Sequence, residues 1–136
     1  MENFVITMPS DLTVDDAVEA IKVAAAEAGI SHVAQHDMND KLNKRGIELA
    51  PRCVIVEVCS AKYAKNIIER CPEVSSSLPC RISVYEKNGK TEMATLAMTT
   101  TLRIYKDAEI GDADREMENA ILRLMVRAQG GITVDS

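Results

Sequence analysis

Apolar residues recur every three or four positions in two long segments of the chain, residues 14–28 and residues 112–128. This period places one apolar stripe along an amphipathic helix, so both segments are predicted to be helical. Thr13, with Asp16 three positions later, is suited to cap the start of the first helix. Gly29 is suited to the backbone conformation that ends it.

Shorter apolar runs, of about four to eight residues, predict the strands. The clearest is Cys53–Cys59, whose β-branched residues are typical of a buried strand. Asn88-Gly89 is a strong hairpin signal, because both residues tolerate the positive φ angles of a tight turn. The other strands are predicted at residues 4–8, 30–36, 81–86 and 91–98.

Two further helices are predicted, a short one at residues 37–46 and one at Ala61–Arg70, whereas two prolines and a serine run predict an irregular loop at residues 71–79. The resulting order is β-α-β-α-β-α-β-β-α. A hairpin beside helical crossovers predicts an α+β fold, a two-layer sandwich with a mostly antiparallel sheet and helices on one face. Residues 1–129 form a single domain in this interpretation, and residues 130–136 form a flexible C-terminal tail.

The sheet face that points away from the helices is expected to be apolar and therefore to be buried against another surface. The strand Cys53–Cys59 has valines at every second position and Cys53 and Ile55 between them, so both of its faces are largely apolar. Pairing of two such faces predicts a homodimer.

Composition excludes several classes of function. Apolar residues make up 46% and charged residues 27% of the chain, as in an ordinary globular protein. The formal net charge is −5 and aromatic residues make up only 3%, so nucleic acid is not an expected partner. No apolar segment approaches the roughly 20 residues that cross a bilayer, so no membrane association is expected. The N-terminus lacks the pattern of a signal peptide, which predicts a cytoplasmic location with reduced cysteines.

Cys59 and Cys80 are the candidate catalytic residues, because each lies at the end of a predicted strand. If the chain returns along the helix Ala61–Arg70, the two strands run antiparallel and the two thiols lie close together, whereas a parallel crossover separates them. Exposed amides at the start of that helix would lower the pKa of Cys59. Arg81 would add positive charge beside Cys80. The alternative is that both cysteines only fill partly buried strand ends.

Other chemical motifs are absent or weak. The four cysteines form no C-x-x-C pair, so neither a thioredoxin-type pair nor a zinc ribbon is predicted, and no metal site is assigned. Cys53 would lie about 20 Å from Cys59 along one strand and is expected to be a core thiol. The seven methionines are expected to fill the core rather than bind metal. The common hydrolase and nucleotide-binding signatures are missing, so hydrolase or kinase activity has no support.

His32 and His36 have the spacing that brings two imidazoles together on a helix. On the predicted strand the two residues lie about 13 Å apart, which excludes a chelate there. His36 is nevertheless a candidate binding residue, because the carboxylate of Asp37 next to it could fix the imidazole tautomer. A solvated histidine at a strand end is the alternative.

Residues 46–96 carry a set of short motifs: Gly-Ile-Glu-Leu-Ala-Pro at 46–51, Val-Glu-Val-Cys at 56–59, Pro-Glu at 72–73, Leu-Pro-Cys-Arg-Ile-Ser-Val-Tyr-Glu at 78–86 and Gly-Lys-Thr at 89–91. In these motifs the chain resembles the family known as domain of unknown function 302. The resemblance implies a two-layer α+β domain that forms dimers. The family usually places Asn-Pro after the cysteine that matches Cys59, whereas this chain has Ser60-Ala61. Some members look associated with sulfur-metabolising organisms, which favours sulfur chemistry at Cys59 and Cys80.

The leading hypothesis is a domain that handles sulfur or redox equivalents through thiols and is not a stand-alone enzyme. Cys59 would be the activated thiolate and Cys80 its resolving or co-ligating partner, with Arg81, His36 and Asp37 as binding residues. The expected partners are a second copy of the chain and a small sulfur species or redox protein. The alternatives are a module that binds a small ligand, a soft metal or haem, and a non-catalytic dimeric interaction domain. The sequence does not identify a cofactor.

Overall fold

The observed helices and strands follow the apolar pattern of the sequence. The computed structural model describes residues 4–133. The strands are β1 (Val5–Ser10), β2 (Ser31–Asp37), β3 (Cys53–Cys59), β4 (Cys80–Lys87) and β5 (Lys90–Leu96). The α-helices are α1 (Val14–Glu27), α2 (Met38–Asn43), α3 (Ala61–Arg70), α4 (Met98–Thr101) and α5 (Asp112–Arg127), and shorter 3-10 helices occupy Pro72–Ser77, Leu102–Ile104 and Gly130–Thr133.

The five strands form one sheet in the order β1-β5-β4-β3-β2, and every neighbouring pair is antiparallel. The β4–β5 hairpin turns at Asn88 and Gly89, which have φ angles of 54° and 77°. These positive angles are those of the tight turn that the Asn-Gly pair predicts. The α+β sandwich with an antiparallel sheet is therefore confirmed.

The core lies between the sheet and a layer of helices. Val54, Val56 and Val58 of β3 are almost fully buried on the helix side, where α1 packs against the central strands and α5 packs against α1 and α3. The predicted cap of α1 is also confirmed, since the Thr13 side chain accepts a hydrogen bond of 3.1 Å from the backbone N–H of Asp16. Among the described residues, no helix has the length and apolar character needed to cross a membrane.

The opposite face of the sheet carries residues of mixed polarity. Val5 and Leu96, paired across β1 and β5, are exposed there, and Ile55 of β3 is only partly buried. The homodimer expected from this face stays a prediction.

The segment Pro72–Ser77 forms a 3-10 helix, so the prediction of an irregular loop at residues 71–79 was wrong. Proline is well tolerated in the first helical position because its missing N–H has no partner to lose there. A second short helical segment, formed by α4 and Leu102–Ile104, follows β5 and was not predicted. It is too short to show a helical period in the sequence. The predicted flexible tail begins with the 3-10 helix Gly130–Thr133, and residues 134–136 lie outside the described residues.

An irregularity in β2 also changes the expected faces. His32 pairs with Val58 and Ala34 pairs with Glu57, so the register shifts at Val33. The extra residue puts His32 and Ala34 on opposite faces, although strict alternation had predicted one face for both.

Candidate functional site

The two candidate cysteines lie at neighbouring positions in the sheet. Strands β3 and β4 are antiparallel, and Cys80 pairs directly with Val58, the residue before Cys59. Of the two connections that the sequence left open, the antiparallel one is therefore observed. It places the backbones of Cys59 and Cys80 side by side at one end of the sheet.

Their side chains nevertheless leave opposite faces of the sheet. Residues paired across two strands share a face, so Cys80 points to the helix side with Val58, and it packs against the core there. Cys59 follows Val58 on the same strand and therefore points to the other face. A disulfide needs the two Cβ atoms about 4 Å apart, and this arrangement does not favour it.

Neither thiol is activated by its surroundings. Burial raises the pKa of Cys59, which contradicts the expected lowering by the start of α3. Burial also raises the pKa of Cys80 to about 11, with a further contribution from nearby Cys59. Removal from water disfavours the charged thiolate, which is why burial raises the pKa of a thiol. Both thiols are consequently protonated near pH 7.

Cys80 forms part of the wall of a cavity of about 180 Å³ between the end of the sheet and helices α4 and α5. We call this space the Cys80 cavity. Its wall is mainly apolar, and the apolar residues come from separate parts of the chain. They are Pro79, Cys80, Leu96, Ala97, Met98, Met117, Ile121 and Leu122.

Hydrogen bonds hold several walls of the Cys80 cavity in place. The hydroxyl of Tyr105 is hydrogen-bonded to the side chains of Ser76 and Ser77, which anchors the 3-10 helix before Pro79. The carboxylate of Glu118 on α5 accepts hydrogen bonds from the backbone N–H and hydroxyl of Thr99 on α4, at 2.8 and 2.9 Å. The cavity is therefore bounded by elements that are fixed relative to one another.

On the other face of the sheet, Glu57 brings together two of the predicted binding residues. Its carboxylate accepts a hydrogen bond of 3.0 Å from Nε of Arg81 and lies 3.4 Å from Nε2 of His36. The hydrogen bond from Arg81 holds the pKa of Glu57 below its ordinary value, with a smaller contribution from His36. Arg81 thus neutralises Glu57 rather than supplying free positive charge to Cys80. Glu57 was not predicted as a site residue, although it is the only charged residue within Cys53–Cys59.

Asp37 has a structural role that its position next to His36 did not indicate. Its carboxylate caps α2 by accepting from the backbone N–H of Asp40 at 3.0 Å, and it accepts a hydrogen bond of 2.6 Å from Arg52. The bond from Arg52 lowers the pKa of Asp37. The carboxylate that lies against His36 is that of Glu57, because Asp37 points to the opposite face of β2.

The remaining cysteines show no sign of a shared site. Cys71 is buried, with its Sγ 3.6 Å from a carboxylate oxygen of Glu73, and Cys53 is partly buried at the start of β3. Within the part of the chain that the structure describes, no three His, Cys, Asp or Glu side chains are grouped so that they could hold a metal ion. All four cysteines are free thiols.

Comparisons with known proteins identify the family. The family model described as "Domain of unknown function DUF302" matches residues 6–128. The crystal structure of an uncharacterized conserved DUF302 protein from Bacillus stearothermophilus is similar with a TM-score of 0.86 over 93% of this chain and 99% of that chain. The sequence identity is 21%, so this likeness shows the fold alone. No curated protein matches the chain. Because the family model spans nearly all of the α+β domain, the chain belongs to the DUF302 family.

Proposed function

We propose that the protein is a binding module whose ligand, a small species of low polarity, occupies the Cys80 cavity. The observation that carries this proposal is the cavity itself, a space of about 180 Å³ with a mainly apolar wall. An apolar cavity of about 150 Å³ in another protein is known to hold benzene or xenon. The available space therefore matches a ligand of about that size and is far too small for haem.

The protonation of the thiols supports binding over catalysis. A nucleophilic cysteine acts as the thiolate, yet the pKa of Cys80 is raised to about 11. A neutral thiol instead behaves as a small apolar group in the cavity wall. Glu118 and the hydroxyls of Ser76 and Ser77 already have hydrogen-bond partners within the protein, which lowers the polarity that a ligand meets.

Filling the Cys80 cavity is expected to prevent binding of a small apolar probe. Ala97 is buried and lines the cavity, so Ala97→Leu places three additional carbon atoms there. We expect benzene to shift the methyl resonance of Met98 in protein labelled at the methionine methyl groups. In Ala97→Leu the benzene concentration for half-maximal shift should rise at least tenfold, about 1.4 kcal/mol.

Ala120→Leu is the matched control, because Ala120 lines a different, open pocket beside α3 and α5. This variant should retain the benzene response of Met98. Equal benzene affinity in Ala97→Leu and the unmodified protein would show that benzene does not bind in the cavity. The same conclusion would follow if benzene shifted only the methyl resonances of methionines that do not line the cavity.

Thiol-based sulfur or redox handling is a second candidate, favoured by the adjacent positions of Cys59 and Cys80 at paired strand ends. In this version hydrogen peroxide would oxidise the two thiols to a disulfide, with release of two water molecules. The raised pKa values and the opposite faces of the side chains weigh against it. The end of β3 would have to rotate before the two sulfur atoms could bond.

Mild oxidation followed by intact-mass measurement tests this second candidate. A Cys59–Cys80 link would appear as the loss of two hydrogens, confirmed by peptide mapping, and would persist in the control variant Cys53→Ser. From the geometry we expect no such link in the folded protein, and slow labelling of Cys80 by a thiol reagent. Rapid formation of the link would instead favour redox function.

A further inference from the structure

Three sulfur-containing side chains line the Cys80 cavity. Cys80 begins β4, Met98 begins α4, and Met117 lies in the middle of α5. The two methionines are 7% and 5% exposed, so each is held in the protein interior rather than in solvent. A cysteine and two methionines from three separate elements therefore line one space.

This donor set selects for a particular class of metal ion. Thiolate and thioether sulfur are soft ligands that favour Cu(I) and similar ions, whereas Mg²⁺ and Ca²⁺ favour oxygen. Among the described residues, no cluster of His, Cys, Asp and Glu offers a competing site for zinc or iron. The sulfur atoms of Cys80, Met98 and Met117 remain as the candidate ligands.

A soft monovalent ion is also compatible with the charges of its ligands. One thiolate and one monovalent cation form a neutral pair, and thioethers add no charge, so the complex suits a mainly apolar wall. Beyond the binding of an apolar ligand proposed above, we propose that the Cys80 cavity also binds one soft monovalent cation, Cu(I) or Ag(I), through Cys80, Met98 and Met117.

Binding exchanges a proton for the cation. The S–H bond of Cys80 breaks, the S–metal bond forms, and the proton passes to the buffer, with no change in oxidation state. Because an ordinary thiol, with a pKa of about 8.5, is mostly protonated below pH 8, protons compete with the cation across the neutral range. The apparent affinity for the cation should therefore rise about tenfold for each pH unit between about pH 6 and pH 8.

Two charged residues also line the cavity and bear on this balance. Arg81 would repel a cation, but its guanidinium donates to Glu57 on the other face of the sheet, which offsets its charge. Glu118 would attract a cation, although one of its carboxylate oxygens already accepts two hydrogen bonds from Thr99. Because Glu57 offsets the charge of Arg81, the carboxylate of Glu118 leaves one negative charge at the wall, which favours a cation.

Silver(I) nitrate and methionine methyl NMR provide the test. The chain has seven methionines and four cysteines, so silver is added in chloride-free buffer up to four equivalents. Other thiols also bind silver, but only a site in the Cys80 cavity brings the metal to Met98 and Met117 together. We expect these two methyl resonances to shift and those of Met8 and Met93 to stay in place.

Cys80→Ser should abolish the silver response of both methionines, whereas Cys59→Ser, at the neighbouring strand end, should retain it. Met98→Leu keeps the side-chain volume and should lower silver affinity at least tenfold in competition with glutathione. Unmoved Met98 and Met117 resonances at four equivalents would overturn the cation proposal. If benzene still binds in that case, the proposed function stands, and if benzene also fails, both proposals fall.

Discussion

Asp114→Ala is expected to lower the free energy of unfolding by about 3 kcal/mol, because it removes a buried carboxylate that three groups bind. Asp114 has no solvent exposure, and its carboxylate accepts hydrogen bonds from Tyr63 at 2.7 Å, Arg70 at 2.8 Å and the backbone N–H of Gly111 at 2.8 Å. Alanine would leave the buried donors without an acceptor. The Arg70 side chain is 36% exposed, so solvent screens its charge and the loss stays below that of a fully buried ion pair. Urea unfolding at pH 7 measures the change.

The matched control is Asp112→Ala, in the first turn of the same helix, where the side chain is 97% exposed. This variant should change the free energy of unfolding by only a few tenths of a kcal/mol. A similar small loss for Asp114→Ala would show that the hydrogen bonds around Asp114 contribute little to stability.

The stabilisation by Asp114 should also depend on pH. Burial alone would raise the pKa of Asp114, but the hydrogen bonds from its three partners hold the pKa below its ordinary value. A carboxyl group with a lowered pKa in the folded state stabilises the protein above the unfolded pKa, near about 4, and loses this contribution as the pH falls. The difference in stability between the unmodified protein and Asp114→Ala should therefore narrow below about pH 4.

The fold was largely predictable because its signals are local. The apolar period of α1, its Thr13 cap and the Asn88-Gly89 turn each depend on residues within a few positions of one another. Such local preferences agree with the global structure here, as expected for a sequence that specifies one fold. Helix α4 was not predicted because its four residues are too few to show a helical period.

The candidate site was less predictable because it depends on register and distant contacts. The strand ends of Cys59 and Cys80 were correctly expected to lie close together if the connection was antiparallel. A difference of one residue in register decides which face a side chain takes, and the sequence did not determine that register. Met98 and Met117 lie far from Cys80 in the sequence, and no spacing rule predicts that the three residues line one cavity. The methionines were therefore interpreted only as core residues.

The sheet therefore separates two chemical environments that the sequence placed in one site. The guanidinium of Arg81 and the imidazole of His36 meet at Glu57 on the open face, although Arg81 also lines the cavity, whereas the Cys80 side chain lies on the helix side. A hydrogen-bonded ionic group and an apolar sulfur-lined space favour different ligands. The separation is the structural reason to propose binding in the cavity in place of a single thiol site.

Asn39→Ala is expected to have a smaller but still large effect on stability, a loss of about 2 kcal/mol. The Asn39 side chain makes four hydrogen bonds with the segment that enters β3. Its Nδ2 donates to the carbonyls of Leu49 and Pro51 at 3.2 and 2.9 Å, and its Oδ1 accepts from Arg52 at 3.0 Å and from the backbone N–H of Cys53 at 2.9 Å. Some of these bonds are exposed, so each contributes about 0.5 kcal/mol on average.

Hydrogen exchange distinguishes this local role from general destabilisation. In Asn39→Ala the amide of Val56 in the sheet centre should exchange about 30-fold faster, as a global loss of about 2 kcal/mol requires. The amide of Cys53 also loses its acceptor, so its exchange should accelerate at least tenfold more than that of Val56. Asn43→Ala, exposed at the end of the same helix, is the control and should leave Cys53 protected. Equal acceleration of exchange at Cys53 and Val56 would contradict a local role of Asn39 at the entry to β3. If Asn39 holds that segment in place, its loss must affect the amide of Cys53, which donates to Asn39, more than an amide in the sheet centre.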